Sequence, residues 1–241
     1  MRYFNLLTLL VLLSFSCSQT PGQKAEQLMK KAIVSHNNMQ KWDKLTGVKF
    51  NKWERKFDQS DSIVGESERD YEFRLQPFFE GKVTWHVDSL VHVASYDGSK
   101  MHYKMGENEI QNPGFLKAKK EELQEAFLSF SQPWELINQE GKPIYDGQKT
   151  LENGKTVESI KLVLNGGALQ WWVYLDAVTY LIQANEIQIG DRHLLIENLS
   201  MNDKWGYLFP GDQAVFRLDV NGKKVSKTAE WRFSEYEVVV Q

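Results

Sequence analysis

Two histidines and an aspartate, His86, Asp88 and His92, are the best metal-ligand candidates in the chain, and His102 lies on the next apolar run. A protein zinc site needs three or more converging ligands held by further hydrogen bonds. Alternation along the run places these residues on the polar side of a strand, which is typical of a solvated sheet face. The sequence therefore predicts no metal site here. The alternate, apolar positions are Val83, Trp85 and Val87.

Four carboxylates, Glu66, Glu68, Asp70 and Glu72, follow one another at every second position. Glycoside hydrolysis uses two carboxylates that flank a cleft, one of them kept dry with a raised pKa. A period of two instead directs these carboxylates to one sheet face, in water. The chain also lacks the G-x-S-x-G, H-E-x-x-H, P-loop and G-x-G-x-x-G patterns. We therefore expect a protein that is not an enzyme, with a hydrolase of envelope lipid or glycan as a lesser alternative.

Composition excludes several other classes of protein. The 241 residues include 29 basic and 32 acidic side chains, for a formal net charge of -3. No basic tract is present to attract nucleic acid, and no motif calls for a cofactor. The 41% hydrophobic content is compatible with a packed core. Cys17 is the only cysteine, so an internal disulfide is impossible.

Cys17 follows a short apolar run at the N-terminus. Arg2 supplies a positive charge, and the apolar segment 3–15 is shorter than the roughly 20 residues that span a bilayer as a helix. This organisation is typical of a secretory signal peptide. The segment Ser14-Phe15-Ser16-Cys17 resembles a bacterial lipobox, although Phe15 replaces the usual small residue. The resemblance implies cleavage before Cys17 and attachment of its thiol to diacylglycerol, which carries the fatty-acyl (palmitate) chains.

Such an anchor predicts where the protein resides. One acyl chain gives only reversible membrane binding, whereas two or three on one cysteine hold a protein permanently. Ser18 is not the Asp that retains some lipoproteins in the inner membrane, which favours the outer membrane, facing the periplasm. We expect a signal peptide at 1–16, a lipidated tether at 17–23 and one domain at 24–241.

The pattern of the remaining residues predicts β-strands and two helical segments. Apolar residues at steps of three and four predict a helix over Lys24–Asn38, and similar spacing predicts a second over 112–130. Period-two runs fill the remainder, with turns at Asp97-Gly98, Gly190-Asp191 and Asn221-Gly222. The fold class is thus mainly β (α+β), with antiparallel strands in sequence order.

The order helix, strands, inserted helix, strands resembles the LolA/LolB-like superfamily of lipoprotein carriers and receptors. The most similar part is "WWVYLDAVTYLIQANEIQIGDRHLLIENLSMNDKWGYLFP", with a strand ending at Asp176, a turn at Thr179 and a Phe-Pro element at 209–210. The resemblance implies an unclosed β-barrel: a single strongly curved antiparallel sheet, with helices covering its mouth and an apolar cavity for acyl chains.

The predicted function follows from the predicted membrane anchor and the predicted fold. We expect a membrane-anchored envelope lipoprotein that binds lipid or lipoprotein acyl chains inside the half-barrel. An interaction or scaffold module with a self-filled core is the alternative. The predicted strand 169–175 has Trp171 and Val173 on one face and Trp172 and Tyr174 on the other, so both of its faces are apolar. Such a strand is expected to be buried on both sides. The predicted cavity residues are Tyr71, Phe73, Leu75, Val83, Trp85, Val87, Trp171, Val173 and Leu175.

Overall fold

The structure, a computed structural model, describes residues 19–37, 39–139 and 141–241. The predicted lipidation site Cys17 and the signal peptide lie outside these residues. The described residues form three α-helices: α1 (Pro21–Ser35), α2 (Met39–Trp42) and α3 (Pro113–Phe130). Each of these helices is too short or too polar to span a bilayer.

Fifteen strands make up most of the described residues, and two of them, β12 and β13, form a separate hairpin. The strands are β1 (Leu45–Phe57), β2 (Ile63–Arg74), β3 (Glu80–Val87), β4 (Leu90–Tyr96), β5 (Met101–Met105), β6 (Asn108–Glu109), β7 (Ile144–Thr150), β8 (Thr156–Leu164), β9 (Leu169–Asp176), β10 (Ile182–Ile189), β11 (Arg192–Asn198), β12 (Met201–Lys204), β13 (Tyr207–Pro210), β14 (Asp212–Leu218) and β15 (Lys224–Val240).

The other thirteen strands form one antiparallel sheet. Its order is β6-β5-β4-β3-β2-β1-β15-β14-β11-β10-β9-β8-β7, so β6 and β7 are free edges and the sheet does not close into a barrel. The long strands β1 and β15 pair at its centre and join the two halves of the chain. This curved, unclosed sheet with helices confirms the predicted fold class.

Helix α1 begins three residues earlier than the sequence predicts. Thr20 Oγ1 accepts a hydrogen bond from the Gln23 backbone N–H, and the Gln23 side chain accepts one from the Thr20 N–H. This capping box, with Pro21 at the first helical position, is a strong helix start. The last residues of the predicted tether 17–23 are therefore helical.

Helix α3 begins and ends where its periodicity predicts. The Asn112 side chain caps it by accepting a 2.9 Å hydrogen bond from the Phe115 N–H, and Pro113 occupies the first turn. The three predicted turns are also present, because β4–β5, β10–β11 and β14–β15 are hairpins that close at those positions.

The helices lie on one face of the sheet, which we call the inner face. In the first half, the cross-strand register aligns one row of side chains beneath α3; in the second half, α1 covers a comparable row. The first row is Phe50, Tyr71, Val83, Ala94 and Tyr103. The second begins with Ile160, Val173 and Asn185.

Candidate site on the inner face

The first half of the inner face carries a large set of packed aromatic rings, which we call the aromatic cluster. Phe130 at the end of α3 lies at its centre, with ring centroids 5.1 Å from Phe50 and 5.5 Å from Phe73. Trp134, from the loop after α3, stacks on Trp42 at 4.6 Å. Strands, helices and loops that are distant in sequence thus meet in one cluster. The cluster also includes Phe209, Phe233 and Tyr236.

Helix α3 is seated on this cluster by a glycine. A methyl group added at Gly81 would lie 2.9 Å from Leu123 Cδ2 and 3.1 Å from the Phe73 ring, so only glycine leaves room for Leu123 there. Leu123 and Phe130 are the only α3 residues that are fully buried. The rest of the helix is partly or fully exposed, and its partly buried residues Phe115, Leu116, Ala126 and Phe127 also pack against the cluster.

A cavity of about 270 Å³ opens between the end of α3 and the strand ends, and we call it the mouth cavity. Its apolar wall adjoins the aromatic cluster, and its rim holds Asp43, Gln76 and Glu135. The Glu135 carboxylate accepts a 2.8 Å hydrogen bond from Trp42 Nε1, and Gln76 Nε2 donates to the Asp43 carbonyl at 2.7 Å. The apolar wall consists of Trp42, Leu45, Leu75, Phe79 and Phe127.

The opposite end of the inner face is polar. Lys52 Nζ lies 3.5 Å from the centroid of Trp231, and Arg69 lies 5.1 Å from that of Trp85. Burial lowers the pKa of Lys52 to about 8, with the Glu54 carboxylate acting against the shift. The Arg69 Nε atom is buried and has no hydrogen-bond partner within the described residues. An apolar ligand is therefore favoured only towards the mouth.

The structure divides the predicted cavity residues into groups. Val87, at the end of β3, is 48% exposed and belongs to neither inner cluster. Leu75 alone lines the mouth cavity. The aromatic cluster contains Tyr71, Phe73, Val83 and Trp85, and the cluster beneath α1 contains Trp171, Val173 and Leu175. Trp42, Phe79, Phe127 and Trp134 were missed, because they come from helices and loops outside the period-two runs.

The histidine set does not converge. His92 pairs with Trp85 across β3 and β4, so both side chains are on the inner face, whereas His86 points to the outer face. The expectation that His92 lies on the polar side of the sheet was wrong. The β3–β4 register pairs even-numbered residues of β4 with odd-numbered residues of β3, so His92 shares the face of Trp85 and not that of His86. His92 Nδ1 is 2.7 Å from the Tyr103 hydroxyl. No metal-binding group of His, Cys, Asp and Glu occurs within the described residues.

Two of the four carboxylates in the acidic row on β2 form ion pairs across the sheet. Glu66 pairs with Arg55 Nε at 2.7 Å, and Glu72 pairs with Lys82 at 2.6 Å and Lys49 at 3.4 Å. The Lys82 ammonium holds the pKa of Glu72 below its ordinary value. A general acid needs the opposite shift, so this row has the character of a solvated sheet face.

A buried histidine lies beside α3 in a polar part of the interior. His36 Nδ1 is 2.8 Å from the Ala32 carbonyl, which only accepts, so this nitrogen carries the proton. Desolvation lowers the pKa of His36 to about 4, against the effect of that hydrogen bond. His36 Nε2, Gln132 Oε1 and Gln213 Oε1 have no partner within the described residues and line one small cavity.

This histidine predicts a pH-dependent stability. The unfolded chain binds a proton at His36 below pH 6.5, whereas the folded chain does so only near pH 4, so stability is lost as the pH falls between these values. We expect a loss of roughly 3 kcal/mol across that window. Urea unfolding of the protein and of His36→Gln at pH 7, 5 and 4 measures it. His86→Gln, on the outer face, is the control, and an equal pH slope in His36→Gln would contradict the assignment.

Comparison with known proteins places the fold. No family model matches the chain, and no curated protein matches it. Solved structures match over nearly the whole length. A DUF1329 family protein from Desulfovibrio piger has a TM-score of 0.57 at 9% identity, covering 91% of this chain and 94% of that one.

Two further structures agree. An outer membrane lipoprotein-sorting protein domain from Vibrio parahaemolyticus has a TM-score of 0.55 at 8% identity, covering 90% of this chain and 93% of the other. A LolA superfamily protein from Nitrosomonas europaea has a TM-score of 0.56 at 10% identity, covering 90% and 94%. At these identities the likeness concerns the fold alone. The chain therefore has the fold of the LolA superfamily, an unclosed antiparallel sheet with helices on one face.

Proposed function

We propose that the protein is a non-enzymatic envelope lipoprotein that binds an acyl chain of a lipid or of another lipoprotein on its inner face. The observation that supports this most is the mouth cavity, whose apolar wall of Leu45, Leu75 and Phe79 continues into the aromatic cluster. Acyl chains bind by removing apolar area from water, and these side chains supply apolar area beside the polar rim.

The mouth cavity is too small to hold a long acyl chain without a movement of the protein. Its 270 Å³ is below the roughly 300–1,000 Å³ of ordinary ligand pockets. A long acyl chain therefore fits only if α3 shifts away from the sheet. Leu123 and Phe130 are the only fully buried residues of α3, so we propose that the shift moves the partly buried Phe127 and leaves Phe130 in the aromatic cluster. Ligand entry then exchanges the contacts of Phe127 with Phe79 and Phe73 for contacts with the chain.

The rim of the mouth cavity favours one class of acyl ligand. Asp43 and Glu135 are both carboxylates, and neither forms an ion pair with a lysine or arginine in the described residues. The carboxylate of a free fatty acid would be repelled there. An acyl chain joined through an ester or amide, as in a phospholipid or a lipoprotein, carries no such charge. We therefore propose esterified or amide-linked chains as the ligand.

The membrane anchor is a second proposal, which rests on different residues. A lipidated Cys17 would hold the domain close to a membrane, which is a source of acyl chains, and the outer membrane facing the periplasm is the proposed location. The description of the Vibrio parahaemolyticus structure as a lipoprotein-sorting domain supports this setting, because its fold matches this chain over most of both lengths.

A second candidate function is an interaction module with a self-filled interior. The close packing of Phe130, Trp134 and Phe209 favours it, since these side chains occupy space that a ligand would need. The two candidate functions differ in one respect: acyl binding requires α3 to move away from the sheet, whereas the self-filled module does not.

Photo-crosslinking in cells separates them. Cells producing the full chain are fed a clickable, photoactivatable fatty acid, which enters their phospholipids, and labelled peptides are mapped after irradiation. We expect label on the peptides that contain Leu75–Phe79 and Phe127, because these residues line the mouth cavity. Leu75→Glu should remove most of that label, because it places a charge in the apolar wall.

Val87→Glu is the matched control, since Val87 was predicted from sequence to contact ligand but is exposed at the far end of its strand. It should leave the label at the mouth unchanged. Label confined to the Cys17 peptide would reflect acylation alone and would favour the self-filled module. Equal loss of label in both variants would show that the mouth cavity is not the binding site.

A further inference from the structure

The outer face of the second half of the sheet carries a separate pocket of about 430 Å³, which we call the outer pocket. It lies on the outer sides of β9, β10 and β11, beneath the hairpin loops 151–155 and 219–223. This volume is within the roughly 300–1,000 Å³ range of small-molecule sites. Helix α1 covers the opposite face of β9 and β10, and the outer pocket and the mouth cavity share no lining residue.

A hydrogen-bonded network fixes one wall of the outer pocket. The Glu186 carboxylate accepts from the Tyr174 hydroxyl and lies 2.7 Å from His193 Nε2. His193 Nδ1 is 3.1 Å from the Asp219 carbonyl. Both ring nitrogens of His193 therefore lie within hydrogen-bond distance of an oxygen acceptor. Tyr174 is almost fully buried, so the network is rigidly placed.

The lysines of the outer pocket are also paired. Lys224 Nζ contacts Glu197 at 2.9 Å and Glu152 at 3.2 Å. Lys149 Nζ contacts Asp146 at 3.1 Å and lies 3.4 Å from the Tyr174 hydroxyl. A charged ligand would have to break one of these pairs and leave a half-buried charge without its partner. A neutral ligand can bind without breaking any of these ion pairs.

The remaining lining is aromatic and amide. The Trp172 ring lines the outer pocket next to Leu195, and Gln188 supplies a side-chain amide that both donates and accepts. A ligand that fits has an apolar face for the Trp172 ring and hydroxyl groups for the fixed donors and acceptors. We propose that the outer pocket binds a neutral carbohydrate of mono- or disaccharide size, with the sugar ring against Trp172.

Saturation-transfer NMR tests this with the full chain in lipid nanodiscs and with maltose, cellobiose and N,N′-diacetylchitobiose as probes. We expect saturable transfer to at least one of the three. Trp172→Ala should weaken binding about tenfold or more, through loss of the aromatic contact. Gln188→Ala, a smaller change at a partly exposed strand position, should weaken it several-fold and guards against a folding defect in Trp172→Ala.

Trp205→Ala is the control, because Trp205 is 75% exposed on the β12–β13 hairpin and lies outside the outer pocket. It should bind as the unchanged protein does. Absence of saturable transfer to all three sugars would overturn the proposal. So would binding that survives both pocket substitutions, or tighter binding of glucuronate than of the neutral sugars. None of these results bears on acyl binding at the mouth cavity.

Discussion

Replacing Phe130 by alanine is expected to lower the free energy of unfolding by about 3–5 kcal/mol, the usual cost of removing a buried Phe ring. Phe130 has no exposed surface, and its ring lies within 6.2 Å of Trp42, Phe50, Phe73 and Phe209, measured between centroids. These partners come from distant parts of the chain, so a local shift cannot refill the space. Urea unfolding at neutral pH measures the loss.

Phe78→Ala provides the comparison for this substitution. Phe78 is 53% exposed, and the Arg74 guanidinium lies 4.3 Å from its ring centroid. Within the described residues, its ring has no stacking or edge contact with another aromatic ring. A change of less than about 1 kcal/mol is expected there. If Phe130→Ala unfolds at the same urea concentration as Phe78→Ala, the aromatic cluster does not hold α3 on the sheet.

Replacing Cys17 by alanine is expected to abolish stable membrane attachment and all labelling by fatty-acid precursors. The reason is chemical: the acyl groups need the thiol, and the apolar segment 3–15 is shorter than a membrane-spanning helix requires. Fractionation of cells and metabolic labelling of the full chain measure both effects.

Ser18→Ala is the control for Cys17→Ala, because it changes the neighbouring residue and leaves the thiol. It should remain attached and labelled. If the Cys17→Ala protein stays with the membrane to the same extent as the control, Cys17 is not the anchor. That result would leave the proposal for the inner face in place, since the two rest on different residues.

Local sequence patterns account for much of the fold. The helical spacing over 112–130 predicts α3, because its cap at Asn112 and its apolar stripe lie within the same segment. The Asp97-Gly98 hairpin is equally local. The start of α1 was missed because the capping box of Thr20 and Gln23 extends the helix beyond its apolar stripe.

Features that depend on long-range pairing were harder to predict. The face of His92 is set by its register with Trp85, which no period within β4 reveals. Trp134 and Phe209 reach the aromatic cluster from a loop and a hairpin, where no alternation marks them as buried. The outer pocket is also a product of topology, although burial of β9 on both faces was indicated by Trp172 and Tyr174 beside Trp171 and Val173.

The inner face is proposed to take up an acyl chain from a lipid or lipoprotein. Native mass spectrometry of the full chain, released from nanodiscs of natural lipid extract, tests it most directly, because collisional activation removes bound lipid but not a covalent anchor. We predict a lipid-sized adduct that is lost on activation and is greatly reduced in Leu75→Glu, while Val87→Glu retains it. The same occupancy in Leu75→Glu, or no dissociable adduct in the unchanged protein, would contradict the account.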